Sequence, residues 1–213
     1  MSHRRRLART LVPAGLLQAL ALLWATRTEA QVHWDIGAEA GVTERVATGG
    51  GSNAPALLPG PTGEVHAHVA ILPMLRVGPY LVHDIAPASG IPARQITASG
   101  LRAKLSPPWL AVPWRAWAFL GVGYARAYAP SSELAAGGPL IRGASGGFVD
   151  LPLGVGLGYR LTRAWEPFVE LRARFGFVFS GSMYDEARCG CGGAFIGDDS
   201  VALSLNLGLS LNR

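Results

Sequence analysis

Two histidines, His66 and His68, have the residue type and the spacing that metal binding needs. Side chains two positions apart on a β-strand point to the same face, so both imidazoles can reach one ion. A protein metal site needs at least a third ligand, and the sequence identifies none beside them. We therefore interpret the pair as histidines packed in the interior and predict no metal site.

His83 and Asp84 are neighbours whose residue types suit acid–base chemistry. Adjacent residues of a strand point to opposite faces, which keeps these two side chains apart. Nucleophilic catalysis also needs a Ser or Cys beside a base, and no such grouping is evident. The sequence therefore predicts no catalytic residue, no cofactor and no enzyme activity.

Residues 1–30 have the parts of a secretory signal peptide. A positive head that includes Arg4, Arg5 and Arg6 precedes a mostly apolar run over 11–25, and small residues at Thr28 and Ala30 suit a signal peptidase. We predict cleavage before Gln31, which leaves one domain over 31–213. The alternative is an uncleaved membrane anchor, but the apolar run is shorter than the roughly 20 residues that a spanning helix needs.

Removal of this segment changes the charge balance. The whole chain has 19 Lys and Arg against 14 Asp and Glu, and residues 1–30 contain five of the basic residues and one of the acidic ones. The mature chain thus carries 14 basic and 13 acidic groups, a net charge of +1. No basic patch remains that would indicate a nucleic-acid partner.

Cys189 and Cys191 flank a single glycine in a glycine-rich segment. Exported chains usually oxidise their cysteines, yet a Cys-x-Cys bridge closes a very tight ring. Our first interpretation is a labile loop disulfide. A thiolate metal site is the second, for which two ligands alone are too few.

The segments that must position these residues show strict alternation of apolar and polar residues. In the last one, aliphatic residues from Val201 to Leu211 alternate with small or polar ones, which is the period of a β-strand. Seven further segments alternate in the same way. The eight predicted strands are Trp34–Val46, Glu64–Arg76, Pro79–Ile85, Ile96–Leu105, Arg115–Tyr128, Phe148–Leu161, Phe168–Ser180 and Val201–Leu211.

The predicted connections alternate between long and short. Four long loops are predicted over Ala47–Gly63, Ala86–Gln95, Ala129–Gly147 and Gly181–Asp199, with short turns at Val77–Gly78, Ser106–Trp114 and Thr162–Pro167. This pattern is typical of an up-and-down membrane barrel, and most of the strands are long enough to cross a bilayer when tilted. The predicted fold is all-β: an eight-stranded antiparallel up-and-down transmembrane β-barrel.

Tryptophan placement gives an independent indication. The five tryptophans of the mature chain lie beside the N-terminus or a predicted short turn, and therefore at one end of the barrel. Indole prefers the membrane–water interface, so we predict an interfacial girdle there. Its members are Trp34, Trp109, Trp114, Trp117 and Trp165.

Charged residues of both signs share the strand face opposite the aliphatic one. In a closed barrel this face turns inward, where the charges must pair because an unpaired buried charge is costly. The predicted lumen network comprises Asp35, Glu39, Arg102, Lys104, Asp150, Arg160, Glu170, Arg172 and Arg174. The aliphatic face then meets lipid.

With these features the mature chain resembles the small outer-membrane β-barrel proteins of the OmpA transmembrane domain, OmpX and Opa type. The resemblance implies a monomer in the cell outer membrane, with no enzyme activity, a lumen filled by side chains and an envelope-structural or surface-interaction role carried by the four long loops. It implies outer-membrane lipid and the barrel-assembly machinery as partners, and it names no surface ligand. Two alternatives stay open: a soluble exported lipocalin-like barrel that binds an apolar ligand, and a lipid-modifying barrel enzyme with an activated Ser or His at the outer rim.

Overall fold

The computed structural model describes residues 33–47, 58–88, 91–107, 113–130, 132–133, 140–141, 143–181 and 200–213. Its strands are β1 (Trp34–Ala47), β2 (Gly60–Ala70), β3 (Leu75–Ala88), β4 (Ile91–Leu105), β5 (Trp114–Ala129), β6 (Ser132–Glu133), β7 (Leu140–Ile141), β8 (Ala144–Tyr159), β9 (Trp165–Ser180) and β10 (Ser200–Asn212). Within the described ranges, no helix is long and apolar enough to cross a membrane. The predicted signal peptide and the cysteine pair lie outside them.

Eight long strands close into a barrel in the order β1-β10-β9-β8-β5-β4-β3-β2. All neighbouring pairs are antiparallel, and β1 closes the barrel against β10 in a register that runs from Asp35↔Asn212 to Ala47↔Ser200. The short strands β6 and β7 form a separate two-stranded sheet. This architecture confirms the predicted eight-stranded antiparallel barrel.

The two ends of the barrel differ in their connections. The end that we call the turn end carries the segments 71–74, 106–113 and 160–164 together with both ends of the barrel chain, where Trp34 and Arg213 exchange backbone hydrogen bonds of 2.9 Å. The opposite end, which we call the loop end, carries the connections 48–59, 89–90, 130–143 and 181–199.

The predicted boundary between the second and third strands is wrong. We expected one strand over Glu64–Arg76 and a turn at Val77–Gly78, but β2 ends at Ala70 and β3 begins at Leu75. The chain reverses at 71–74, where the Ile71 and Leu72 N–H groups donate to the Leu75 carbonyl. Pro73 therefore lies in the turn, where its missing N–H costs nothing.

One of the four predicted long loops is also wrong. Much of the segment 86–95 is strand instead: β3 continues to Ala88, β4 starts at Ile91, and only residues 89–90 separate the two strands. Cross-strand pairs such as Ile85↔Gln95 continue the ladder to a register shift between Ala86 and Ala88. Three connections longer than ten residues thus remain at the loop end.

The side chains alternate along each barrel strand as the pattern predicted. Aliphatic residues of β10 and β1 are exposed on the outer surface, and the buried inward positions hold acidic, basic and amide side chains together with apolar ones such as Val82, Ile96 and Phe148. Proline is accommodated by gaps in the ladder, since the β5–β8 register omits the pairs of Leu151 and Pro152 and resumes at Leu153. The core of this protein is therefore the lumen of the barrel.

Candidate functional site

The charged lumen is the candidate site, and its loop-end part is organised around Arg174. The Arg174 guanidinium donates to Asp84 at 2.5 Å and to Asp150 at 3.1 Å. Tyr80 adds a hydroxyl that donates to Asp150 at 3.0 Å, and Arg45 lies 3.7 Å from Asp84. Two carboxylates are thus matched by two guanidiniums across four strands.

The middle of the lumen holds a denser cluster. Arg172 pairs with Glu39, with Glu64 at 2.7 Å and with Glu170 at 2.6 Å. Arg102 pairs with Glu64 at 2.8 Å and Glu170 at 3.4 Å. All five side chains are buried, so each charge depends on its partners rather than on water.

The turn-end part contains a chain of hydrogen bonds through His68. Arg102 Nε donates to His68 Nε2 at 2.8 Å, and His68 Nδ1 lies 2.7 Å from Asp35, so the imidazole carries its proton on Nδ1. Asp35 also accepts from Arg76 at 2.5 Å. Both nitrogens of His68 are therefore occupied.

Three further contacts lie in the turn-end part of the lumen. Arg115 donates to Glu166 at 3.1 Å, and the Lys104 ammonium lies 4.0 Å from the centre of the Trp117 ring. Trp117 in turn directs its N–H to Glu170 at 3.3 Å. Among the described residues, seven carboxylates are buried in the lumen, and eight Lys and Arg side chains lie at inward positions, which are Arg45, Arg76, Arg94, Arg102, Lys104, Arg115, Arg172 and Arg174.

The structure buries all of the predicted lumen charges except Arg160. That prediction is wrong because β8 ends at Tyr159, and Arg160 is exposed in the turn, where its N–H donates to the Pro113 carbonyl. Sequence analysis missed several members of the network. The added members are Arg45, Glu64, Arg76, Asp84, Arg115 and Glu166. Most stand at alternate inward positions, and Glu64 shares its face with His66 and His68, so the alternation of β2 was the signal that could have identified it.

The tryptophans divide into two groups. Trp114 and Trp165 are about half exposed at the turn end, and Trp34 lies partly buried at the same end. Trp117 is a correction to the predicted girdle, because three positions after Trp114 it faces inward and packs on Phe168 with 5.6 Å between ring centres. Trp109 lies outside the described residues.

His66 belongs to two groups of side chains that could bind a metal ion, and the sequence identified neither group. One donor atom each from Asp35, His66 and His68, or from Glu39, Glu64 and His66, lies within 4.8 Å of the others. Guanidiniums already hold both Glu64 oxygens, and a Cβ on Gly37 would clash with His66 Nε2, so the space beside this ring is filled. An ion would have to displace an arginine to enter either set.

The outer surface of the barrel carries exposed aliphatic side chains. A continuous aliphatic band covers β10, β1 and β9, and it includes residues such as Leu207, Leu205 and Leu171. A soluble monomer rarely exposes a continuous apolar surface of this kind, and a lipid-facing barrel requires it. The lipocalin-like alternative predicted an apolar interior and a polar exterior, whereas this lumen contains buried ion pairs and the outer surface carries a band of aliphatic side chains.

A closed antiparallel barrel of eight strands, with an aliphatic outside and paired charges inside, defines a small outer-membrane β-barrel. Solved structures of such proteins are similar to this chain over most of its length. A major outer membrane protein from Thermus thermophilus is 17% identical with a TM-score of 0.58, covering 86% of this chain and 100% of its own. Neisserial surface protein A is 12% identical with a TM-score of 0.54, covering 84% and 96%.

A third similar structure is Ail, the attachment invasion locus protein of Yersinia pestis, which is 10% identical with a TM-score of 0.50 and covers 85% of this chain and 99% of its own. No protein-family model and no curated protein matches the chain. At these identities the similarity concerns the fold alone.

Proposed function

We propose that this chain is a non-enzymatic outer-membrane barrel that acts as a structural or surface-interaction component of the envelope, through the long connections at its loop end. The observation that carries this proposal is the paired filling of the lumen, since ion pairs from Asp84 and Arg174 down to Asp35 and Arg76 occupy it along its length. An eight-stranded barrel is just wide enough for side chains to fill. Interaction with other molecules is thereby left to the outside and the loop end.

The absence of enzyme activity is part of this proposal. The best acid–base couple among the described residues is His68 with Asp35. The second ring nitrogen of His68, Nε2, already accepts a hydrogen bond from Arg102. A general base must present a free nitrogen within reach of a substrate proton. His83 lies on the outer face of the barrel, where its Nδ1 forms a hydrogen bond of 2.8 Å with the Thr97 hydroxyl.

The first experiment on this proposal is fractionation of cells that express the full-length chain, followed by gel electrophoresis of heated and unheated samples. We expect an outer-membrane band that migrates faster when unheated, because a closed barrel stays folded in detergent until it is heated. A detergent-free periplasmic or secreted protein would contradict the membrane assignment.

A filled lumen also predicts the electrical behaviour of the barrel. Reconstituted in planar bilayers, the protein is expected to show no steady single-channel conductance, since an ion would have to part the Arg172 and Arg102 pairs to pass. Stable openings of uniform size in neutral salt would show that the lumen conducts and that the proposed structural role is incomplete.

A further inference from the structure

The outer face of the barrel carries a group of polar side chains on three adjacent strands, which we call the polar patch. It comprises His83, Gln95, Thr97, Tyr124, Arg126 and Tyr128, all exposed. The outer positions of β9 and β10 hold apolar side chains instead, among them Leu171 and Leu205. Polar residues on a lipid-facing surface are destabilising unless they lie near the interface or meet a partner.

The strand register brings the patch together. His83 pairs with Thr97, and Thr97 pairs with Arg126, so these three form one row across β3, β4 and β5. Gln95 pairs with Tyr128 in the next row of the same face towards the loop end. The result is one continuous surface with hydroxyl, amide, imidazole and guanidinium groups.

The patch extends to the membrane–water interface on the loop-end side of the barrel. Arg126 lies twelve positions along β5 from Trp114, the exposed tryptophan of the turn end. With a rise of about 3.3 Å per residue and a tilt of about 40°, this separation corresponds to roughly 30 Å along the barrel axis. The apolar band of such barrels is about 25 Å tall, so Arg126 reaches the head groups of the opposite leaflet.

The charge of the patch is positive and unbalanced. Among the described residues, no carboxylate pairs with Arg126, and the outer positions of β3, β4 and β5 include no acidic residue. Tyr124 and Tyr128 flank Arg126 on the same face and are about half exposed. Arginine with neighbouring hydroxyl groups is the arrangement that binds phosphate oxygens.

We propose that the polar patch binds the net-anionic, phosphate-bearing head group of a lipid in the outer leaflet, with Arg126 as the phosphate ligand and the hydroxyl groups of Thr97, Tyr124 and Tyr128 as further contacts. This inference rests on the proposed membrane function and adds to it a defined lipid class and a defined face. A second copy of the chain is the competing occupant. It is less favoured because two patches that face each other would bring their Arg126 charges together.

The test is native mass spectrometry of the full chain, refolded in neutral detergent and offered lipid A, dephosphorylated lipid A or phosphatidylcholine. We expect lipid A to be retained and the two lipids without a net negative charge to be lost. Arg126→Gln is expected to weaken lipid A binding at least tenfold, because it removes the only charged hydrogen-bond donor that the proposal assigns to the phosphate. Thr97→Val is expected to weaken it less.

Arg163→Gln is the matched control, since it removes the same charge from the exposed turn at the other end of the barrel. Equal binding by Arg126→Gln and the unaltered protein would overturn the proposal, as would equal retention of dephosphorylated lipid A. If the protein forms dimers and Arg126→Gln either dissociates or strengthens them, the patch is assigned to a second copy of the chain instead. Only samples that show the heat-dependent gel shift are compared, so failure of the barrel assignment is recognised separately.

Discussion

Replacing Arg172 by Gln is expected to lower the free energy of unfolding by about 3–5 kcal/mol, because it leaves buried carboxylates without their partner. Arg172 joins three of them, Glu39, Glu64 and Glu170, and only Glu64 and Glu170 keep a second guanidinium, that of Arg102. Glu39 retains no ion pair with any described residue. The measurement is a urea titration of the barrel in lipid vesicles, followed by tryptophan fluorescence.

A second substitution tests the electrostatic origin of this loss. Arg172→Gln leaves the Glu39 carboxylate unpaired, and Glu39→Gln removes that charge. The double variant is therefore expected to be more stable than the sum of the two single losses predicts. Arg163→Gln, in the exposed turn, is expected to change stability by less than about 0.5 kcal/mol. If Arg172→Gln were as mild as this control, the lumen pairs would contribute little and the carboxylates would be hydrated or neutral.

The sequence predicts the strands of this barrel well because a period of two encodes the face of each residue directly. From Val201 to Leu211 every second side chain meets lipid, and the opposite ones enter the lumen, so face and strand follow from one pattern. The same pattern placed Arg172 and Glu170 inside. Burial of a charge could therefore be predicted residue by residue.

The β2–β3 boundary could not be placed by hydrophobicity. The turn residues Ile71, Leu72 and Met74 are apolar, as suits a segment at the membrane interface, and they continue the alternation past the true strand end. Pro73 lacks the N–H group that a closed ladder needs, but Pro152 lies inside β8, so a proline alone does not mark the end of a strand here. Val77–Gly78, which has a turn-like composition, lies inside β3.

The partners of the lumen charges depend on information that no single strand contains. Glu39 meets Arg172 because β1 and β9 both flank β10, and the registers of β10 with each of them set the heights of the two residues. Trp117 shows the same limit, since its position near a turn suggested an interfacial ring while its face directed it to Glu170. Which side chains meet across the lumen depends on how the barrel closes and on the shear of its strands. The alternation within a single strand specifies neither of these.

Leu207→Arg is expected to cost about 2–4 kcal/mol in a bilayer, because it places a charge on the lipid face near the midplane. Leu207 is 70% exposed and pairs with Ala40 and Val169, two other lipid-facing residues. It lies five positions from Asn212 at the turn end, which corresponds to roughly 12 Å along the axis, about half the height of the apolar band.

The matched control for this substitution is Leu161→Arg, at a leucine that is 62% exposed but lies in the turn after β8. A charge near the interface costs only about 0–1 kcal/mol, so the two variants are expected to differ by at least about 1 kcal/mol in urea titrations in vesicles. In a barrel surrounded by water, two leucines of such similar exposure would tolerate arginine equally. Equal stabilities would therefore contradict a lipid-facing surface at β10, whereas a loss confined to Leu207→Arg measures depth in the bilayer directly.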